Sequence, residues 1–172
     1  MFDDVTRIKK ILSLGKGKPG LIIVDVGDNP AAAALCNPVI EGLAREAGYN
    51  AISIDVRQFD NVYDLLLRLE DESKNGCQFA ILDFAGDWLS ERLVRVDSRG
   101  RSVSATRLGD LNALRENFFR VPMMLALPLS PQGIREFAET AIDFYSWRKG
   151  TYVVQPAPGM RSPDYGRENV PN

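Results

Sequence analysis

The sequence predicts a three-layer α/β sandwich around a mainly parallel sheet of about five strands, and three observations carry that prediction. Short apolar, β-branched runs recur along the chain, as strands buried on both faces do. Between them, apolar residues return at helical spacing. Glycine, proline, asparagine or aspartate marks each change of type. Strands alternating with helices in the order βαβαβαβαβ lead to parallel pairing, right-handed crossovers and helices on both sheet faces.

An amphipathic lead-in (Val5, Ile8, Ile11, Leu12) and a turn-rich Gly15-Lys16-Gly17-Lys18-Pro19-Gly20 precede the first strand, Leu21 to Val26. A helix then starts at Asp28-Asn29-Pro30 or at Asn37-Pro38. The second start is preferred, because a proline inside a helix costs about 3 kcal/mol. Gly48 ends this helix, and Ala51 to Val56 forms the second strand, with Ile52 and Ile54 on one face and Ser53 and Asp55 on the other. Asp60-Asn61 opens a helix whose Val62, Leu65, Leu66 and Leu69 share a face, and Asn75-Gly76 closes it. Phe79 to Asp83 is the third strand, and Gly86 to Thr106 reads as a long surface excursion.

From Asp110 a helix carries Leu111, Leu114 and Phe118. Val121 to Leu127 is the fourth strand, delimited by Pro122 and Pro128. Ser130-Pro131 starts a helix with Ile134, Phe137, Ala138, Ala141 and Tyr145 on one face. Thr151 to Val154 is the fifth strand. The 172 residues suit a single domain, since domains run to about 100 to 200 residues. Residues 1–155 are assigned to that domain. Residues 156–172, with Pro156, Pro158, Pro163 and Pro171 among polar residues, read as a tail or linker toward further domains of a longer chain.

Composition excludes much chemistry. The chain has no histidine, which removes histidine triads, histidine bases and nearly every zinc site. Cys36 and Cys77 read as buried small hydrophobes rather than a redox pair. The net charge of -2 supplies no basic field for nucleic acid. The longest strongly apolar stretch, Pro122 to Leu129, falls far short of the roughly 20 residues that span a bilayer. A soluble, cytoplasmic protein is expected, one that binds neither nucleic acid nor membrane and holds no cofactor and no metal.

In an open parallel sheet, ligands bind at the carboxyl ends of the strands. Asp25, Asp55 and Asp83 lie at such ends. A nucleotide-binding P-loop needs Gly-x-x-x-x-Gly-Lys-Ser/Thr after the first strand, so that backbone amides cradle phosphate while the lysine and hydroxyl handle charge and magnesium. Here the place reads Gly27-Asp28-Asn29-Pro30-Ala31-Ala32-Ala33-Ala34. It has no lysine and no hydroxyl, Pro30 removes an amide, and Asp28 repels phosphate. Gly15-Lys16-Gly17-Lys18 precedes the strand, where its geometry is wrong for a cradle.

Asp83 follows Ala80-Ile81-Leu82 in the manner of a magnesium-positioning acid, with capping of a loop or pairing with an arginine as the alternative. If a nucleotide binds without turnover, the candidate residues are Gly27, Asp28, Asn29 and Asp83. A receiver-like arrangement would make Asp83 a phosphoacceptor, with Asp25 and Asp28 on magnesium and Ser130 as the hydroxyl. Lys149 precedes the last strand and is misplaced for that role.

The segment from Asp143 to Gly150 sets three aromatics beside two cations. It reads as a helix end pinned to the core, with Gly150 as the stop. It also suggests a partner-docking patch of Tyr145, Trp147 and Arg148, the arginine stacking on Trp147.

Three stretches carry a resemblance: Leu111-Asn112-Ala113-Leu114-Arg115-Glu116, Val121-Pro122-Met123-Met124-Leu125-Ala126-Leu127-Pro128, and Ala141-Ile142-Asp143-Phe144-Tyr145-Ser146-Trp147-Arg148-Lys149-Gly150-Thr151-Tyr152. Together they resemble a bacterial family of inactive STAND-type P-loop domains. That family has a Leu-Asn-x-x-Arg-Glu helix, a strand ending in Leu-Pro and a closing Asp-Phe-Trp-Ser-Trp-Arg-Ser-Gly-like signature. Tyr145 stands where a tryptophan is usual and Lys149 where serine is usual. The match covers the second half of the domain. It implies a P-loop-like sandwich that has lost nucleotide hydrolysis and sits N-terminal to tetratricopeptide-like repeats or effector domains in bacterial signalling or defence proteins. The expected function is therefore a non-catalytic signalling or scaffolding module whose partners are proteins or adjacent domains.

Overall fold

The computed structural model describes residues 3–156. Nearly all of the proposed tail, 157–172, lies outside the described residues. Five parallel strands form one sheet in the order β2-β3-β6-β1-β7: β1 (Gly20–Asp25), β2 (Ala51–Asp55), β3 (Phe79–Asp83), β6 (Met124–Leu129) and β7 (Thr151–Val153). On one face lie α1 (Asp4–Gly15) and α2 (Pro30–Glu46), which bury Ile8, Leu12, Cys36 and Ile40 against Ile22, Val24 and Met124. The opposite face carries α3 (Val62–Lys74), α4 (Ala85–Ser90), α5 (Arg107–Ala113), α6 (Arg115–Arg120), α7 (Pro131–Thr140) and α8 (Ile142–Ser146). The predicted three-layer α/β sandwich is thus the observed architecture, and the two faces have separate cores.

The strand β1 leaves through α2 toward β2 at one edge, while its neighbour β6 leaves through α7 toward β7 at the other. Connections that part in this way open a crevice at the carboxyl ends of the two strands. The β3–β6 ladder helps, because it stops at Ile81↔Ala126 while β1–β6 runs on to Asp25↔Leu129. Pro128 sits in that extension and has no amide to donate, so it is tolerated past the end of the β3 ladder. The predicted fourth strand therefore shifts: it begins at Met124, and Pro128 lies inside it rather than delimiting it.

Three further expectations are corrected. The second helix starts at Pro30 and runs through Pro38. The carbonyl orphaned by Pro38 belongs to Ala34, and both residues are exposed, so water satisfies what the helix cannot. The surface excursion after Gly86 holds structure: α4 buries Trp88 and Leu89, and β4 (Arg92–Val96) pairs antiparallel with β5 (Ser102–Thr106). The Trp88 indole donates to the Phe59 carbonyl at 2.9 Å, which satisfies its polar edge inside the core. Each of the last two predicted long helices is broken in two, at Leu114 and at Ala141.

Cys36 and Cys77 are free and buried, one in each core, as small hydrophobes. Burial pushes both thiols up. No helix among the described residues is long and apolar enough to cross a membrane.

Candidate functional site

The crevice at the carboxyl ends of β1, β3 and β6 forms a cleft of about 350 Å³. Gly27 and Asp28 come to it from the β1–α2 loop, Asp83 and Phe84 from the end of β3, Asp87 from α4, and Ser130 from the end of β6. Of the predicted nucleotide residues, Gly27, Asp28 and Asp83 are brought together. Asn29 is not part of the wall.

Asn29 instead closes the helix end that would have received a phosphate. Its Oδ1 accepts from the amides of Ala31 at 3.0 Å and Ala32 at 3.4 Å, while the Ala33 amide donates to the Asn29 carbonyl at 2.9 Å. Pro30 has no amide. The first turn of α2 therefore keeps no free donor, although a helix N-terminus is ordinarily an anion site through those donors. In the loop before it, the Gly27 amide donates to Asp25 Oδ1 at 2.9 Å. Gly27 has φ +74, which suits glycine alone and lets the chain turn from strand to helix.

Electrostatics agree with the hydrogen bonding. Asp28, Asp83 and Asp87 line the cleft, and among its described lining residues none is lysine or arginine. Beside the cleft stands Arg57, whose Nε and Nη2 donate to the two oxygens of Asp55 at 3.0 and 2.8 Å. The guanidinium also stacks 3.5 Å above the Phe84 ring. Those bonds hold the Asp55 carboxyl below the usual range. Asp55 and Asp83 are register partners on β2 and β3, so Arg57 sits beside two acids at once. Asp83 Oδ1 accepts from the Phe84 amide at 3.0 Å, the loop-capping role foreseen as its alternative.

Phe84 has φ +61, the only described non-glycine residue in the left-handed region. Nothing in the sequence signals this, because phenylalanine has no preference for that conformation. Sequence reasoning also missed Asp87, which belonged to the stretch read as surface excursion. Asn37, read as a possible cap, is inside α2 on the cleft wall with a buried Oδ1 that finds no partner among the described residues.

The receiver-like arrangement finds its hydroxyl, Ser130, on the cleft wall, but the Ser130 Oγ caps α7 by accepting from the Gly133 amide at 3.1 Å. Lys149 lies at the opposite end of the sheet: its amide donates to the Leu21 carbonyl at the start of β1. No described group of three or more acid, cysteine or histidine side chains could hold a metal ion.

The residues of the suggested partner patch, Tyr145, Trp147 and Arg148, are half-buried around the core residue Phe144. Phe144 is fully buried and meets Phe118, Phe137 and Trp147 edge-on, with centroids 5.4 to 6.0 Å apart. Trp147 lies on Phe119 at 4.0 Å. Arg148 stacks on Tyr145 at 3.8 Å, not on Trp147 as expected. The two halves of the quoted signature turn out to hold each other. Asn112 Oδ1 accepts from the Asp143 and Phe144 amides at 3.0 and 3.1 Å, capping α8 from 31 residues away. Arg115 reaches Asp143 at 3.8 Å.

A parallel α/β sandwich with an acidic crevice at its switch point is the class that fold and site define. Compared with known proteins, the chain matches no family model, no curated protein and no solved structure at a significant level.

Proposed function

We propose that this chain is a non-catalytic interaction module, a P-loop-like sandwich whose nucleotide chemistry is lost. One observation carries the reading: the amides of Gly27, Ala31 and Ala32, at the place a phosphate cradle would occupy, are bonded to the chain's own Asp25 and Asn29. The acids around the same opening add a repulsive field that a nucleotide without bound cations would have to overcome. The resemblance to inactive STAND-type domains points the same way and supplies the proposed setting, a bacterial, cytoplasmic signalling or defence protein in which the module serves neighbouring domains.

Titration calorimetry of the chain with ATP, GTP and magnesium tests this directly. No heat is expected. A dissociation constant tighter than about 100 μM, roughly 5.5 kcal/mol of binding, would replace the proposal by a nucleotide sensor. Turnover of either nucleotide, abolished by Asp83→Ala, would replace it by an enzyme.

A further inference from the structure

Two surfaces away from the crevice complement each other. The first is a groove of about 640 Å³ beside α1 and the β7 edge, whose lining includes Arg7, Lys10, Ile11, Leu14, Lys149 and Tyr152. Its floor is apolar and its charged lining residues are all cations. Leu14 is 67% exposed, and Lys10 and Lys149 make no ion pair among the described residues. The second surface is the outer ridge of α3. Tyr63 and Leu67, one helical turn apart, are 55% and 45% exposed, and Asp64 and Asp71 flank them in the open. The inner face of α3 is fully used by Val62, Leu65, Leu66 and Leu69, so this ridge is surplus to the core.

We propose that the groove of one molecule receives the α3 ridge of a second copy. Groove and ridge match in chemistry, an apolar centre with cations meeting an apolar centre flanked by Asp64 and Asp71, while Arg68 on the same helix is ion-paired with Glu72 and Lys74 lies in its last turn. The proline-rich tail is a poorer occupant, because its Arg161 and Arg167 offset Asp164 and Glu168. The surfaces lie on opposite faces of the sheet, the groove toward β7 and the ridge over the side chains of β2 and β3. One contact therefore leaves a free groove at one end and a free ridge at the other, and association runs head to tail instead of closing as a two-fold pair. The inference rests on the reading of the chain as an interaction module and names its partner.

Sedimentation of the full 172-residue chain over a range of concentrations tests it. The average mass should rise past the dimer, and raising salt from about 0.1 to 1 M, which cuts the Debye length from about 10 to 3 Å, should weaken association severalfold. Lys10→Glu spoils the groove and Leu67→Gln the ridge; each substitutes an exposed side chain and should lower association at least tenfold. Mixing the two variants should restore one contact only, a 1:1 pair and nothing larger. A wild-type chain monomeric to about 1 mM, a mass that stops at the dimer, or association indifferent to both variants would overturn the proposal. So would a monomer that instead sediments with anionic lipid vesicles through Lys10. Any of these leaves the module reading standing, since nucleotide titration and turnover judge that reading separately.

Discussion

Asn29 and Asn112 each cap a helix in this molecule, and they differ in reach. Asn29 caps the helix it begins, accepting from amides two and three residues away, and thereby occupies two donors at the helix end that faces the crevice. Asn112 caps α8 across 31 residues and fastens the helix before β6 to the aromatic segment after α7. The same side-chain chemistry makes a local cap in one place and a tertiary contact in the other. A helix end facing a cleft is thus not a binding site until its donors are shown to be free.

The largest expected effect lies on the Asn112 side. Phe144→Ala removes the ring on which three aromatics converge and should cost about 3 to 5 kcal/mol in urea unfolding. Asn112→Ala leaves two amides at the start of α8 without their acceptor and should cost about 1 to 2 kcal/mol. Asn29→Ala, at the exposed cap, should cost about 1 kcal/mol or less in the same assay. It also frees the Ala31 and Ala32 amides, so weak phosphate binding seen by NMR in this variant and not in the wild type would show that the cap itself was the barrier. Equal losses for the two asparagines would break the distinction between them.

The crevice side predicts smaller changes. Phe84→Gly relieves the left-handed backbone, worth roughly 1 kcal/mol, and gives up the Arg57 stack, worth about 0.5 to 1 kcal/mol at an exposed site. The midpoint of unfolding should hardly move, whereas Phe84→Val, with a branched side chain at φ +61, should be destabilised. Asp55 and Glu136 are among the carboxyls that carry a pH signature. Asp55 is depressed by its hydrogen bonds from Arg57, and Glu136 by those from Ser90 and Gln132. Unfolded values are about 3.9 and 4.3, so their contribution is fully present above those values and is lost as pH falls through the lower folded ones. Thermal midpoints should be flat from pH 7 to about 5 and fall below about 4, with a smaller fall in Arg57→Ala.

Much of the fold was legible because it is local. The third strand begins and ends where the sequence placed it, and α3 buries the four residues its period assigns. What failed depended on surroundings. Pro38 looked like a start because its cost is intrinsic, yet solvent beside Ala34 lowers that cost. The stretch after Gly86 looked like surface because Trp88 and Leu89 are two apolar residues without a period, and only the pocket around Phe59 makes them core. Arg107, which no sequence pattern singles out, is buried, donating to the carbonyls of Asp60 and Trp88 and paired with Glu91.

The candidate site divides the same way. Sequence alone placed Gly27, Asp28 and Asp83 at one end of a parallel sheet, since strand ends and crossover handedness follow from pattern and chirality. It also excluded the lysine and hydroxyl of a phosphate cradle, because those must follow the first strand and do not. Which residue would take a left-handed backbone and which helix Asn112 would cap were decided by tertiary structure. A hydrogen-bond donor has many possible acceptors along a chain, and only the folded geometry brings one of them within 3 Å.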